Sequence, residues 1–393
     1  MKAEIVHKDT IKPCSPTPLS KRDYKLSLID QLTPGPYVPI ILFYDSNTKF
    51  SLEHLKKSLS KTLTYMYPLA GRIKDEFTIK CNDEGVDFLE ANVSNFTLSN
   101  IVNDPKIENL CQLLPCQPHD RCKSPSEQVL LAVQITKFPC GGISILNQES
   151  DQEMINGGID NGFIVDVTGI FPPRDVANDP LLTMIPTQEE LPFKISMKRF
   201  IFDNSKITIL IQSCPIDERC DIKSEIKVYL LMASFNLMKR MIPNFPTNCI
   251  GNLIFPTMAK WEVEEGEMDY KKIVEKVQES IRKVDDSYIR RIHEKNEYID
   301  YLMSILELCT SRGNEVGIVG FVSWCKLGLY EGDFGWGKPI WIAKPENRVC
   351  GFHLVDSADG NGIEVWIGLK EEIMKLLEKN EHFLSYVSLS QDV

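Results

Sequence analysis

The chain has twelve cysteines and six histidines, and few of them stand at a spacing that does chemistry. No Cys-x-x-Cys pair occurs, and Cys111, Cys116 and Cys122 lack a matching array of histidines, so no zinc or other metal site is expected. His293 and Glu297 stand four residues apart, a spacing at which an imidazole and a carboxylate on one helix face could share a proton. On a run this highly charged the pair reads as a surface contact. The most distinctive stretch is 331–339, Glu-Gly-Asp-Phe-Gly-Trp-Gly-Lys-Pro. Its Asp333-Phe334-Gly335 spells the magnesium-binding triplet of a kinase, but the chain has no glycine-rich phosphate loop, no Val-Ala-Ile-Lys strand and no His-Arg-Asp loop. From its residues alone the stretch predicts a tight turn between two buried strands. Gly335 and Gly337 would serve where the backbone needs positive φ, with Trp336 as the anchor.

The elements that must position these residues belong to an ordinary globular chain. Its 393 residues suffice for two domains with full cores. Apolar content of 43% and charged content of 25% are typical of soluble proteins. A formal net charge of −11 disfavours a nucleic-acid partner, which would want a basic stripe. No run approaches transmembrane length, and the opening Met-Lys-Ala-Glu-Ile-Val is no secretory leader. The expectation is a cytoplasmic protein that stays off membranes and keeps its thiols reduced and mostly buried.

Alternation predicts strands over 4–12, 38–44, 77–80 and 86–89, the last two joined as a hairpin through Asn82-Asp83-Glu84-Gly85. Ser51 predicts the cap of a helix with apolar residues at 52, 55, 59 and 63, stopped at Tyr67-Pro68. A strongly apolar strand over 129–138 turns at Cys140-Gly141-Gly142 into 143–146. Residues 147–169 are polar and glycine-rich, and 171–192 read as a long connection. Beyond it come strands over 195–202 and 227–232, a short helix from Ser205 and a long charged helical region over 270–308. A strand leads into the 331–339 stretch, and a hairpin at 359–362 and a closing helix over 371–379 follow. Strands without regular βαβ order predict a mixed α/β protein of two layered domains: 1–170, a crossover connection over 171–194, and 195–393.

Six runs occur in one order: Tyr-Pro-Leu-Ala-Gly-Arg at 67–72, Cys-Asn-Asp-Glu-Gly-Val at 81–86, Cys-Gly-Gly at 140–142, Phe-Pro-Pro-Arg-Asp at 171–175, Pro-Asn-Phe-Pro at 243–246 leading to Gly251-Asn252, and Asp-Phe-Gly-Trp-Gly at 333–337. Together they resemble the plant BAHD acyltransferase family, in its vinorine-synthase-like branch, over nearly the whole chain. The resemblance implies an α/β fold of two chloramphenicol-acetyltransferase-like domains, each a mixed β-sheet with helices, around a central channel. It implies an acyl-CoA-dependent O-acyltransferase acting on a hydroxyl of a plant specialised metabolite such as an alkaloid. Acyl-CoA, for example acetyl-CoA, would be the co-substrate and a small molecule the acceptor, with no bound cofactor and a monomeric chain. Asp333, Phe334, Gly335, Trp336 and Gly337 would then form a structural loop on the CoA side, its acid paired with an arginine. Arg240 is the candidate partner, at Asn236-Leu237-Met238-Lys239-Arg240 where the family reads Asn-Leu-Arg-x-Arg.

The same resemblance exposes a gap. The family's proton-accepting signature is His-x-x-x-Asp, soon after the Cys-Gly-Gly turn. None of the six histidines is followed four residues later by aspartate. Counted from Cys140, the histidine position holds Asp151 and the aspartate position Ile155, and a glycine-rich run over 156–162 replaces the helix expected next. General-base catalysis contributes roughly 10²–10⁴-fold. An aspartate with a pKa near 4 is a weaker base than histidine unless burial raises it. Asp151 is the substitute base if there is one. A second departure lies over 214–227, where a buried helix of the family is reduced to a short polar run. The alternatives are a non-catalytic or repurposed member that binds a ligand or partner or runs lyase or cyclase chemistry, or the product of a decayed or misassembled gene.

Overall fold

The computed structural model describes residues 1–32, 37–46, 49–75, 77–115, 125–150, 165–169, 171–173, 194–212, 219–221, 226–237, 240–242, 249–250, 253–263, 267–294, 297–345 and 351–389. The first half of the chain supplies β1 (Ala3–Ile11), β2 (Asp23–Lys25), β3 (Tyr37–Tyr44), β4 (Arg72–Asp75), β5 (Thr78–Lys80), β6 (Val86–Val93), β7 (Leu131–Lys137), β8 (Ile143–Ser150) and β9 (Val165–Asp166). With them come helices α1 (Leu28–Leu32), α2 (Leu52–Tyr65), α3 (Leu98–Asn103) and α4 (Ile107–Cys111). The second half supplies β10 (Ile195–Asp203), β11 (Arg219–Asp221), β12 (Val228–Asn236), β13 (Cys249–Ile250), β14 (Ile254–Glu262) and β15 (Glu267–Asp269). It continues with β16 (Val316–Ser323), β17 (Trp341–Ala343), β18 (Gly351–Asp356), β19 (Gly362–Lys370) and β20 (Ser388–Leu389). Its helices are α5 (Asn204–Gln212), α6 (Tyr270–Arg282), α7 (Asp286–Glu294), α8 (Glu297–Arg312), α9 (Glu371–Leu377) and α10 (Glu381–Leu384).

Two mixed sheets carry the fold, six-stranded β1-β6-β7-β8-β3-β17 and seven-stranded β14-β12-β16-β18-β19-β10-β20. The apolar run of β7 lies inside the first sheet, parallel to β6 and antiparallel to β8, and is buried up to its last residue, Lys137. β1 lies at the edge, and its exposed Glu4 and Lys8 blunt that edge against further pairing. A register shift between Ile5 and His7 accounts for the loose alternation of its sequence. Ser51 caps α2 as its sequence predicts, accepting from the His54 amide.

The sequence divides at 171–194, but the sheets do not. β17 comes from the second half and pairs antiparallel with β3 of the first: Trp341 faces Phe43, Ile342 faces Leu42 and Ala343 faces Ile41. An apolar cluster follows this seam, with Ile41, Phe43, Leu98 and Ile101 on one side and Met197, Trp341 and Trp366 on the other. A second cluster joins Leu28, Ile29 and Phe171 to Leu237, Met241, Leu253 and Val284. Within the expected connection, 174–193 lie outside the described residues.

Two expectations need correction. Asn82-Asp83-Glu84-Gly85 does not close a hairpin. β5 pairs with β2 and β4 in a small sheet, while β6 joins the six-stranded sheet. The turn instead ties two of the family's runs together. Arg72 donates to the carbonyls of Gly71 (2.7 Å) and Gly85 (2.8 Å), and Glu84 lies 3.2 Å from its Nε. A side chain at Gly85 (φ +94°) would strike the Ile11 carbonyl at 2.6 Å. The charged region over 270–308 is three helices, not one. The chain breaks after Arg282, and Asp285 restarts it by accepting from the Tyr288 amide at 2.8 Å. His293 and Glu297 therefore stand on different helices, and Glu297 pairs with Arg291 at 3.2 Å.

Candidate functional site

The 331–339 stretch connects the two sheets. β16 ends at Ser323, Gly328 takes a left-handed turn (φ 71°), and a short 3-10 turn over Leu329–Glu331 leads into the loop. Asp333 Oδ1 accepts the amide protons of Gly335 (2.7 Å), Trp336 (3.0 Å) and Gly337 (2.9 Å). These backbone donors, those of Gly337 and Gly335 foremost, hold the Asp333 carboxyl below the usual aspartate range. Gly335 and Gly337 adopt φ of 96° and 110°, the left-handed freedom their type predicts. The aromatic side chains clamp the loop to the first half. Trp336 meets Phe50 edge-on (5.3 Å) and Tyr44 (6.3 Å), and Phe334 stacks on Trp336 (5.5 Å). The Tyr44 hydroxyl donates to the Gly332 carbonyl at 3.0 Å, and Lys338 pairs with Glu331. The Ile340 amide then donates to the Phe43 carbonyl at 2.7 Å and starts β17. The loop is thus a clip that threads a strand of the second half into the first sheet, and the acid's work is internal to it.

Arg240 does not take the place expected for it. Its guanidinium donates to the carbonyls of Ile281 (3.0 Å), in the last turn of α6, and Val284 (2.8 Å), in the turn that follows it. Among the described residues no ion pair joins Arg240 to Asp333. Asp333 Oδ1 is taken up by three amides of its own loop, while Arg240 is turned to two carbonyls where α6 gives way to α7.

Asp151 lies outside the described residues. It follows Ser150, the last residue of β8, whose backbone pairs with Tyr37 between β7 and β3.

Sequence reasoning passed over a buried polar group at the seam. Arg199 of β10 and Glu364 of β19 are 8% and 5% exposed and pair at 3.4 Å. The same Glu364 oxygen accepts from Trp341 Nε1 at 3.0 Å. Arg199 also donates to the Val102 carbonyl of α3 at 3.1 Å, and its guanidinium lies 4.9 Å over the Trp341 ring. Burial pushes the Glu364 carboxyl up, against the opposing pull of Arg199. The signal was available in Gly-Ile-Glu-Val-Trp over 362–366, an acid inside an apolar strand. Nearby, Lys344 Nζ is 3.1 Å from Nδ1 of the buried His353 and 5.0 Å from the Trp324 ring centre. Among the described residues no group of three His, Cys, Asp or Glu is placed to hold a metal ion, and no helix is long and apolar enough to cross a membrane. Cys116 and Cys122 lie outside the described residues.

Comparison with known proteins bears on the same elements. The profile of the Transferase family matches residues 1–147 and 216–384. The match stops four residues before Asp151 and resumes at 216. Limonoid 21-O-acetyltransferase of Melia azedarach is 34% identical over 429 residues, covering 99% of each chain. Stemmadenine O-acetyltransferase of Catharanthus roseus is 32% identical over 427 residues, covering 97% of each chain. The crystal structure of vinorine synthase superposes with a TM-score of 0.80 at 29% identity, covering 98% of this chain and 99% of that one.

Proposed function

We propose a function from one premise: the chain belongs to the plant BAHD acyltransferases, the Transferase family, in the branch that holds vinorine synthase. The reading is an acyl-CoA-dependent O-acyltransferase that moves an acyl group, acetyl first, onto a hydroxyl of a plant specialised metabolite. The halves 1–170 and 195–393 are its two walls, joined by the crossover over 171–194. The acceptor oxygen attacks the thioester carbonyl, the carbon–sulfur bond breaks, and the CoA thiolate leaves and takes up the proton the hydroxyl gave. Asp151 is the proton acceptor at the end of β8. The loop of Asp333, Phe334, Gly335, Trp336 and Gly337 shapes the donor side, and the protein works as a cytoplasmic monomer. The observation that carries the reading is the end-to-end likeness to proteins named as O-acetyltransferases, together with the intact clip between the sheets.

The test is release of free CoA from acetyl-CoA by the full-length protein across a panel of limonoid and alkaloid alcohols. Acceptor-dependent release supports the reading, and release at the buffer rate with every acceptor overturns it. A second reading has its own observation, the family match that breaks over 148–215 where the histidine belongs. Under it the chain binds a metabolite in the old channel without acyl transfer, and calorimetry would find tight metabolite binding with no CoA turnover.

A further inference from the structure

Three residues of strand hold the second half of the chain in the first sheet, and three are few. The clip at 331–339 secures β17 on the side where the chain enters. What holds Trp341 of β17 is the Arg199–Glu364 pair. Glu364 grips the Trp341 indole, and Arg199 covers the ring and reaches across the seam to the Val102 carbonyl. Trp341 in turn stacks on Phe43 of β3 at 5.1 Å. One buried ion pair thus touches β10, β19, β17 and α3, which are elements of both halves.

The geometry is poor for an element selected for stability alone. The contact between Arg199 Nη1 and Glu364 is a single one at 3.4 Å, not a two-pronged fork. Among the described residues Arg199 Nε has no hydrogen-bond partner. Taking two charges out of water for so few bonds costs more than an apolar pair of the same volume would. Direction is what the pair supplies and an apolar pair would not, because a guanidinium fixes where a carbonyl and an indole must lie.

We propose that Arg199 and Glu364 form a positioning latch that sets how the two halves meet at β17 and α3, separately from any contribution to global stability. The proposal does not rest on acyl transfer, and its test reads none. Hydrogen–deuterium exchange is followed by mass spectrometry in the full-length protein and in R199M/E364Q, which removes the ion pair and the guanidinium's bond to Val102 without leaving a buried charge unpaired. The expected result is a melting temperature near that of the parent, with exchange raised about tenfold or more in peptides over 338–345 and 97–104 and unchanged in β7 and β14. Parent-like protection in both seam peptides would overturn the proposal, as would faster exchange across all peptides alike. R199K keeps the charge opposite Glu364 but lacks the planar fork, so it serves if the double variant does not fold. It is expected to raise exchange in the same two peptides about threefold, and parent-like exchange there would likewise overturn the latch.

Discussion

The loop at 333–337 and the chain leaving β8 at 150 are the two places where this protein can be measured against its family, and they contrast. At the loop every expected residue is present, and the structure shows why each is needed: the acid organises three amides, two glycines supply positive φ, and the aromatic rings dock on Tyr44 and Phe50. At the end of β8 the strand runs to Ser150, and the residue that follows it in sequence, where the resemblance puts the histidine, is aspartate. The loop that holds the halves together has therefore kept its residues independently of those where the family's proton acceptor stands. A motif whose polar groups bond to its own backbone identifies an architecture, whereas catalysis depends on a side chain left available to a substrate.

Four measurements would break or sharpen that contrast. The largest effect is expected at the β8 end. Asp151→His combined with Ile155→Asp should raise acceptor-dependent CoA release by about 10²–10⁴-fold, the usual worth of a placed general base. A double variant no faster than the parent would mean that the loss extends beyond one side chain. Next is the clip. Trp336→Ala removes the ring that packs on Phe50 and Tyr44 and should cost about 3 kcal/mol in denaturant unfolding. A cost within experimental error would show that the loop is not what anchors β17.

Arg240→Met should cost about 1 kcal/mol by removing the side-chain donor from the Ile281 and Val284 carbonyls, and should leave the loop's amide exchange untouched. Faster exchange at Gly335 or Gly337 would restore the expected link between Arg240 and Asp333. The smallest effect concerns pH. The folded-state pKa of Asp333 is depressed, so its contribution is present above the unfolded value near 4 and is lost as pH falls through the lower folded value. The melting-temperature gap between parent and Asp333→Asn should hold constant from about pH 8 to 5 and close below about pH 4. A gap that closes near neutrality would assign the effect to another group.

Much of the architecture was legible because local rules produce it. Ser51 reads as a helix cap, Cys140-Gly141-Gly142 as the turn from β7 to β8, and Asp359-Gly360-Asn361-Gly362 as the turn from β18 to β19, each because a backbone donor or a special φ admits few residue types. The misreadings share a cause. Asn82-Asp83-Glu84-Gly85 has hairpin chemistry, but β5 and β6 find better partners in different sheets. The helical period over 270–308 continues through Asp285 in sequence, but not in space.

By itself the sequence determined the family, the mixed α/β class, the conformation of the loop's glycines and the absence of a histidine with aspartate four residues on, since these depend on residue type at neighbouring positions. Only the tertiary structure decided that the halves share a sheet through β17, that Asp333 bonds to its own loop, that Arg240 serves α6, and that Arg199 and Glu364 meet beneath Trp341. Those partners lie from two residues apart within the loop to about 300 apart between Phe43 and Trp341, and for the distant ones it is burial, not spacing, that brings the groups together.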